Sequence, residues 1–346
     1  MPVASRVRPG TLRGVPSRPE PADDLTIRRA GPEDRDAVVA LCRATLGWAD
    51  GDPNEAFFSW KHDDNPFGVS PAWLSETPDG RLAGLRVFLR WQFRTPDGAE
   101  LAGVRAVDTA THPDFQGRGI FTSLTLGALP DLRTDGIDHV FNTPNDKSRP
   151  GYLKMGWSQV GRVPVGVRVA SVGALGRLAR SRTAAAMWSE PSDLGVPAPE
   201  FLADTDAVER LLSTCPAPRG IATARSAAYL QWRYRFEPLR YRAVPLGDRV
   251  EDGALVVRFR RRGAALECAV CDVLAPVGRS VRPVVREVAR RSGADHLIRC
   301  GGASIARDGF VPAPQLGPVL TWRPVARTGV PSLAELDLTL GDVELF

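Results

Sequence analysis

The chain reads as an α+β protein made of two related domains, and three observations predict this. First, three strand-like runs, Trp73–Thr77, Leu82–Arg94 and Leu101–Thr111, are joined by Pro78-Asp79-Gly80 and Pro96-Asp97-Gly98. Turns of that composition connect antiparallel strands. Second, the last of these strands leads through a glycine-containing loop into a run where Phe121, Leu124, Ala128 and Leu132 recur at spacings of 3, 4 and 4. That spacing is one face of an α-helix. Third, several segments recur in the same order roughly 160 residues later, a repeat of domain size and not a solenoid.

The remaining elements follow in chain order. Leu25–Arg29 is the expected first strand, and Pro32 to Leu46 a helix with proline in its first turn. Residues 52–68 carry a helix containing Trp60. After the three strands and the loop helix, Ile137–Phe141 reads as a short buried strand, and Val163–Ser171 is expected to close the first sheet. Leu175–Trp188 reads as a basic, partly amphipathic linker helix packed on the surface, with membrane-surface contact as the lesser alternative, and Pro191–Pro199 as a loop. The expected boundaries are a disordered tail over 1–24, a first domain over 25–171, a linker over 172–199, a second domain over 200–327 and a C-terminal tail over 328–346. No chemistry is assigned to Leu336–Asp342.

The repeat aligns the Phe58–Pro66 segment with Leu230–Pro238, placing Trp60 opposite Trp232. Asp108 then matches Asp272, Asp138 matches Asp295, and Gly156-Trp157 matches Gly309-Phe310. The two aspartates of the second copy lie 23 residues apart, against 30 in the first. The difference falls on the glycine loop, reduced to Pro276–Ser280, while the helix survives in Val281, Val284, Val285, Val288 and Ala289.

Composition excludes several classes. The 346 residues, 43% hydrophobic and 25% charged, are those of a soluble globular chain with room for two cores. The net charge of +5 is spread without a dense basic run, so nucleic acid is not an expected partner. No apolar run approaches membrane-spanning length, and residues 1–24 lack the apolar stretch of a signal peptide. Five cysteines suggest a reducing cytoplasm. Cys268 and Cys271 fall in a strand-like run and read as packed thiols, so no metal site is expected.

The chemistry concentrates at Gln116-Gly117-Arg118-Gly119-Ile120-Phe121. Glycines at a helix start let a ligand approach the backbone closely, and the first-turn N–H groups are left to bind an anion such as a pyrophosphate. Neither G-x-x-x-x-G-K-[ST] nor G-x-G-x-x-G is present, so the loop is not that of a P-loop or a dinucleotide fold.

Gln116-x-x-Gly119-x-Phe121 instead resembles the coenzyme A loop of the GNAT acetyltransferase superfamily, [QR]-x-x-G-x-[GA], departing from it at Phe121. Downstream, Asn145 through Tyr152, Lys154, Gly156 and Trp157 resembles the second GNAT signature, N-x(6)-Y-x-K-x-G-[FW]. The resemblance covers about residues 25–170. It implies in each domain a mixed, mostly antiparallel twisted sheet flanked by helices. It further implies an acyl-CoA co-substrate, acetyl-CoA by default, held by Thr109, Ala110, Thr111, Gln116, Gly117, Arg118, Gly119, Ile120, Phe121, Thr122 and Asn145. Tyr152 matches the general acid for the leaving thiolate, with packing as its alternative role. The glutamate that some members use as base falls here on Val140. Asp108 is the substitute, either as base or, since Asp272 recurs in the copy without a loop, as a structural hydrogen-bonding residue. Trp60, Asp63 and Asp64 fall where GNAT relatives recognise acceptors, here a small-molecule amine or amino sugar. Mycothiol synthase and Fem-type aminoacyltransferases are similar tandem arrangements, and a non-catalytic coenzyme A-binding regulator is a further reading.

Overall fold

A computed structural model describes residues 24–49, 51–170, 173–174, 176–177, 184–301 and 305–343. The predicted turns form: Gly80 and Gly98 take positive φ of 82° and 88°, and Thr77 and Thr95 accept the closing backbone hydrogen bonds. They join β2 (Ala72–Glu76), β3 (Leu82–Arg94) and β4 (Glu100–Thr111) into an antiparallel meander edged by β1 (Thr26–Arg29). Both faces of β3 are covered. Leu85 and Val87 pack on α1 (Arg35–Thr45), whereas Ala83 and Phe88 face α3 (Ile120–Gly127). That two-sided burial explains the nearly continuous apolar run of this strand.

From β4 the chain crosses through α3 and α4 (Leu129–Thr134) to β5 (His139–Asn142), which lies parallel to β4. The second half repeats the plan. There β10 (Arg242–Pro245), β11 (Ala254–Arg262) and β12 (Ala265–Leu274) are antiparallel, and the helix Arg282–Arg291 leads to β13 (His296–Cys300), parallel to β12.

The expectation that Val163–Ser171 closes the first sheet is corrected. β7 (Val165–Val169) lies between β13 and β14 (Val311–Pro312), in the second sheet. Reciprocally, β15 (Val319–Pro324) enters the first sheet between β5 and β6 (Ser158–Arg162). The eight-stranded sheet thus runs β1-β2-β3-β4-β5-β15-β6, with β9 (Ala222–Thr223) on the end of β3; the seven-stranded sheet runs β14-β7-β13-β12-β11-β10-β8, where β8 is Val196–Pro197. The apolar alternation of the exchanged strands specifies which side chains are buried but not which sheet receives them. The expected boundaries at 171 and 327 therefore do not separate the two sheets.

A helix pair sits at the centre of the exchange. α2 (Asn54–His62) and the helix Ala227–Tyr234 carry the repeated tryptophans, which stack with centroids 5.6 Å apart. Trp60 Nε1 donates to the Trp232 carbonyl and Trp232 Nε1 to the Trp60 carbonyl, each at 2.7 Å. Each bond between such buried groups contributes about 1 kcal/mol net, and leaving an indole N–H unpaired would cost more. Phe57 and Phe236 extend the cluster.

Two other expectations change. Of Leu175–Trp188, half lies outside the described residues, and 184–188 is not helical. That stretch is held to β11 by the Ala186 N–H on the Arg261 carbonyl, and Trp188 packs on Phe57. The tail is not inert: Leu340–Val343 forms a buried helical turn fixed by Arg225, which pairs with both Asp272 and Asp342 at 2.9 and 3.2 Å. Among the described residues no helix is long and apolar enough to cross a membrane.

Two predictions follow from the exchange. A fragment covering only residues 25–170 lacks β15, which strips β5 of one of its two neighbours and detaches β6 from the sheet, so it is expected to show neither cooperative urea unfolding nor dispersed amide resonances; a cooperative transition would refute the exchange as a folding requirement. The second concerns His139, which stacks on Trp322 of β15 at 3.9 Å. Burial, aided by the Arg327 charge, depresses its pKa to about 3. Above pH 6.5 both folded and unfolded chains hold the ring neutral. Below it the unfolded chain takes a proton that the folded chain refuses, so stability falls by up to about 1.4 kcal/mol per pH unit towards pH 3. His139→Phe is expected to reduce that slope between pH 6 and 4.5, measured by urea midpoints.

Candidate functional site

β4 and β5 are paired only over Gly103–Arg105 and His139–Phe141. Beyond Arg105, β4 continues without β5, and the widening gap forms a cavity of about 610 Å³. At the gap β4 bulges: Val107 faces Val87 and Thr109 faces Arg86, so Asp108 is the extra residue, at φ 41°. A β-branched or bulky residue would be strained there, whereas Asp tolerates it.

The Asp108 carboxylate accepts from Lys61 Nζ at 2.5 Å and sits 2.6 Å from His62 Nε2. Burial alone would raise its pKa, but the Lys61 charge and the His62 hydrogen bond override this and hold it well below the usual carboxylate range. Burial also lowers the pKa of His62, which leaves its ring neutral; its Nδ1 lies 3.0 Å from Ser70 Oγ. In the second copy Tyr234, the residue aligned with His62, donates to Asp272. An aspartate held from the tryptophan helix is thus common to both copies.

On the other side of Thr109, the loop meets α3. Gly117 and Gly119 adopt φ of 79° and 74°, and a Cβ on either would enter open space. Their left-handed backbone turns the chain into α3, leaving its first N–H groups facing a cleft of about 420 Å³. Thr109, Ala110, Thr111, Gln116, Gly117, Gly119, Ile120 and Phe121 line this cleft together with Thr45 of α1. The cleft and the cavity share Thr109 and Phe121 as walls.

Tyr152, on α5 (Arg149–Lys154), borders the cavity beside that junction, its ring edge-on to Phe121 at 5.4 Å. Its hydroxyl accepts from Arg86 Nη2 at 2.6 Å. Asn145 also lines the cavity, but its Oδ1 accepts the Lys147 and Ser148 N–H groups and so shapes the turn into α5.

The opposite wall comes from the second half. Arg262 and Glu267 face the cavity, with Ile298 from β13. Burial opposes ionisation of Glu267, but bonds to His296, Arg260 and Arg262 outweigh it and keep the carboxylate charged. The tail completes the enclosure: Leu340 and Val343 line it, and Arg105 donates at 2.6 Å to the carbonyls of both Asp342 and Val343.

Several expected residues lie elsewhere. Trp60 is buried in the helix pair and does not line the cavity. Asp63 pairs with Arg35 and Asp64 with Arg235, both at 2.6 Å and half-exposed. They follow the last turn of α2, which directs them away, while Lys61 points in. Arg118 pairs with Asp24, and neither it nor Thr122 lines the cleft. Sequence reading missed Lys61, Arg86, Arg105, Arg262, Glu267 and the tail. For Arg86 a signal existed, a lone charge inside the apolar run Leu85–Leu89.

Residues 26–160 match the family model of the GNAT acetyltransferase domain. No curated protein matches the chain in sequence. Solved structures share its fold across both halves. A GCN5-related N-acetyltransferase from Anabaena variabilis superposes with a TM-score of 0.60 at 14% identity, covering 87% of this chain and 73% of its own. A probable N-acyltransferase from Enterococcus faecalis gives 0.58 at 11%, with the same coverage of 87% and 73%. Eis1 from Mycobacterium abscessus gives 0.53 at 18%, covering 88% and 76%. At these identities the likeness is one of fold. The family match, with the bulged strand, the glycine loop and the helix that follows it, identifies residues 26–160 as an acetyltransferase domain of the GNAT superfamily.

Proposed function

We propose that this chain is an acyl-CoA-dependent N-acyltransferase, with acetyl-CoA as the default donor, that acylates a small-molecule amine or amino sugar by direct attack. The observation that carries the reading is the junction at Thr109 and Phe121, the residues that wall both the glycine-loop cleft and the adjoining cavity, which Tyr152 also lines. The cleft suits a pyrophosphate, since open space lies before Gly117 and Gly119 and the α3 N–H groups and dipole favour an anion. The cavity suits an amine-bearing acceptor, with the fixed Asp108 carboxylate on its wall.

In this reading the amine nitrogen attacks the thioester carbon, the carbon–sulfur bond breaks, and Tyr152 protonates the departing thiolate. The proton shed by the amine replaces the one Tyr152 gives, so no net proton is consumed. Asp108 serves as a fixed anion and not as the base: ionised against Lys61 and His62, it is a poor proton acceptor. The second copy supplies the acceptor wall through Arg262 and Glu267 and binds no coenzyme A of its own, because only a short turn stands at Pro276–Ser280.

A titration calorimeter is expected to find one coenzyme A site per chain; two equivalent sites would refute the assignment. Gly119→Val places a β-branched residue at positive φ in the cradle and is expected to weaken binding tenfold or more. Tyr152→Phe is expected to lower kcat by about a hundredfold at nearly unchanged coenzyme A Kd, since a positioned proton donor contributes on that order. Release of free thiol from acetyl-CoA against an amine panel supplies the assay, and an unaltered kcat would reduce Tyr152 to packing.

A further inference from the structure

Arg86 is 1% exposed, in the middle of β3. A guanidinium so buried needs a counter-charge or carbonyls to offset its desolvation. Other buried arginines have them: Arg260 meets Glu267, Arg225 meets Asp272 and Asp342, and Arg105 takes two carbonyls. Among the described residues Arg86 forms no ion pair. One terminal nitrogen donates to Thr109 Oγ1 and the other to the Tyr152 hydroxyl, and Nε is buried without a partner. The cation otherwise lies against the rings of Phe88, Phe121 and Tyr152 at 5.1–5.5 Å.

Thr109 and Tyr152 both line the cavity, so the charge lies directly behind the junction. The fold does not require it there. In the second sheet the bulge falls between Val256 and Val257 with Cys271 as the extra residue, so the position of Arg86 falls on Val256 when the bulges are matched and on Leu255 when Asp108 is matched to Asp272. Both are fully buried and apolar, so that copy, without the glycine loop, keeps its hairpin with no charge at this position.

We propose that Arg86 is a positioning residue for acyl transfer: it orients the Tyr152 hydroxyl and supplies the positive charge that stabilises the phenolate left when Tyr152 protonates the thiolate. The counter-anion missing from the resting protein is then the one that catalysis creates. Arg86 occupies both of its reachable partners as a donor, so the Tyr152 oxygen accepts from it and the phenolic hydrogen is left to point into the cavity. This rests on the reading of Tyr152 as the proton donor.

The test is a cycle of Arg86→Gln, Arg86→Lys and Tyr152→Phe in the full chain, with kcat, its pH profile and coenzyme A Kd measured for each. Arg86→Gln is expected to lower kcat at least tenfold in the wild-type background and less than twofold in the Tyr152→Phe background. Its alkaline limb moves to higher pH while Kd stays within threefold. Arg86→Lys keeps a charge for folding but cannot span both hydroxyls, and gives a smaller loss with the same dependence on Tyr152. Equal losses in both backgrounds, in whichever variant folds, overturn the proposal while leaving Tyr152 its role. A Tyr152→Phe enzyme with wild-type kcat overturns the proton-donor reading and the inference with it.

Discussion

The reciprocal exchange of one strand between two sheets is the constraint on which the molecule depends. β7 is sandwiched by strands of the second half, and β15 by strands of the first, so neither sheet is complete within its own stretch of sequence. The tryptophan helices repeat the same reciprocity at side-chain level, each indole donating to the other helix's carbonyl. A strand inserted mid-sheet satisfies backbone groups along both its edges, which an edge addition cannot do. The halves are therefore joined by hydrogen bonds as strong as those within either, and the cavity between them inherits a rigid frame.

That rigidity bears on the site. Its walls come from widely separated stretches, among them the β4 bulge, α5, the β11–β12 hairpin and the tail. Positioned groups act only when their supports hold them within a fraction of an ångström. Here the supports are charged as well as apolar. Asp108 is held by Lys61 and His62, Glu267 by two arginines and a histidine, and the tail by Arg105 and Arg225. Such buried networks contribute little net stability, and removing one member leaves its partner uncompensated in a medium of low dielectric.

The two copies show which features belong to the fold and which to the chemistry. Both retain the bulged hairpin, the parallel strand after a crossing helix, the tryptophan helix, and an aspartate bonded to that helix. Only the first has the glycine loop and an arginine at the bulge. Asp108 thus stands with the shared, structural set, while Gly117, Gly119, Arg86 and Tyr152 stand with the first copy alone.

The local features were legible in the sequence because they rest on short-range physics. The turns at Gly80 and Gly98, the glycine loop before α3, the meander and the duplicated tryptophan segment all follow from spacing, proline and glycine chemistry, and periodicity. Tertiary structure alone decided the rest. Apolar alternation in Val165–Val169 and Val319–Pro324 specifies a buried face, yet a period of two carries no address for the sheet that buries it. For the same reason, the helical register of α2 did not reveal that Lys61, and not Asp63 or Asp64, turns toward the cavity. Nor could it show that Arg86, Glu267 and the Leu340–Val343 turn, up to 257 residues apart in number, converge on one site. Convergence of that kind is set by how the two halves interlock, and no local pattern encodes it.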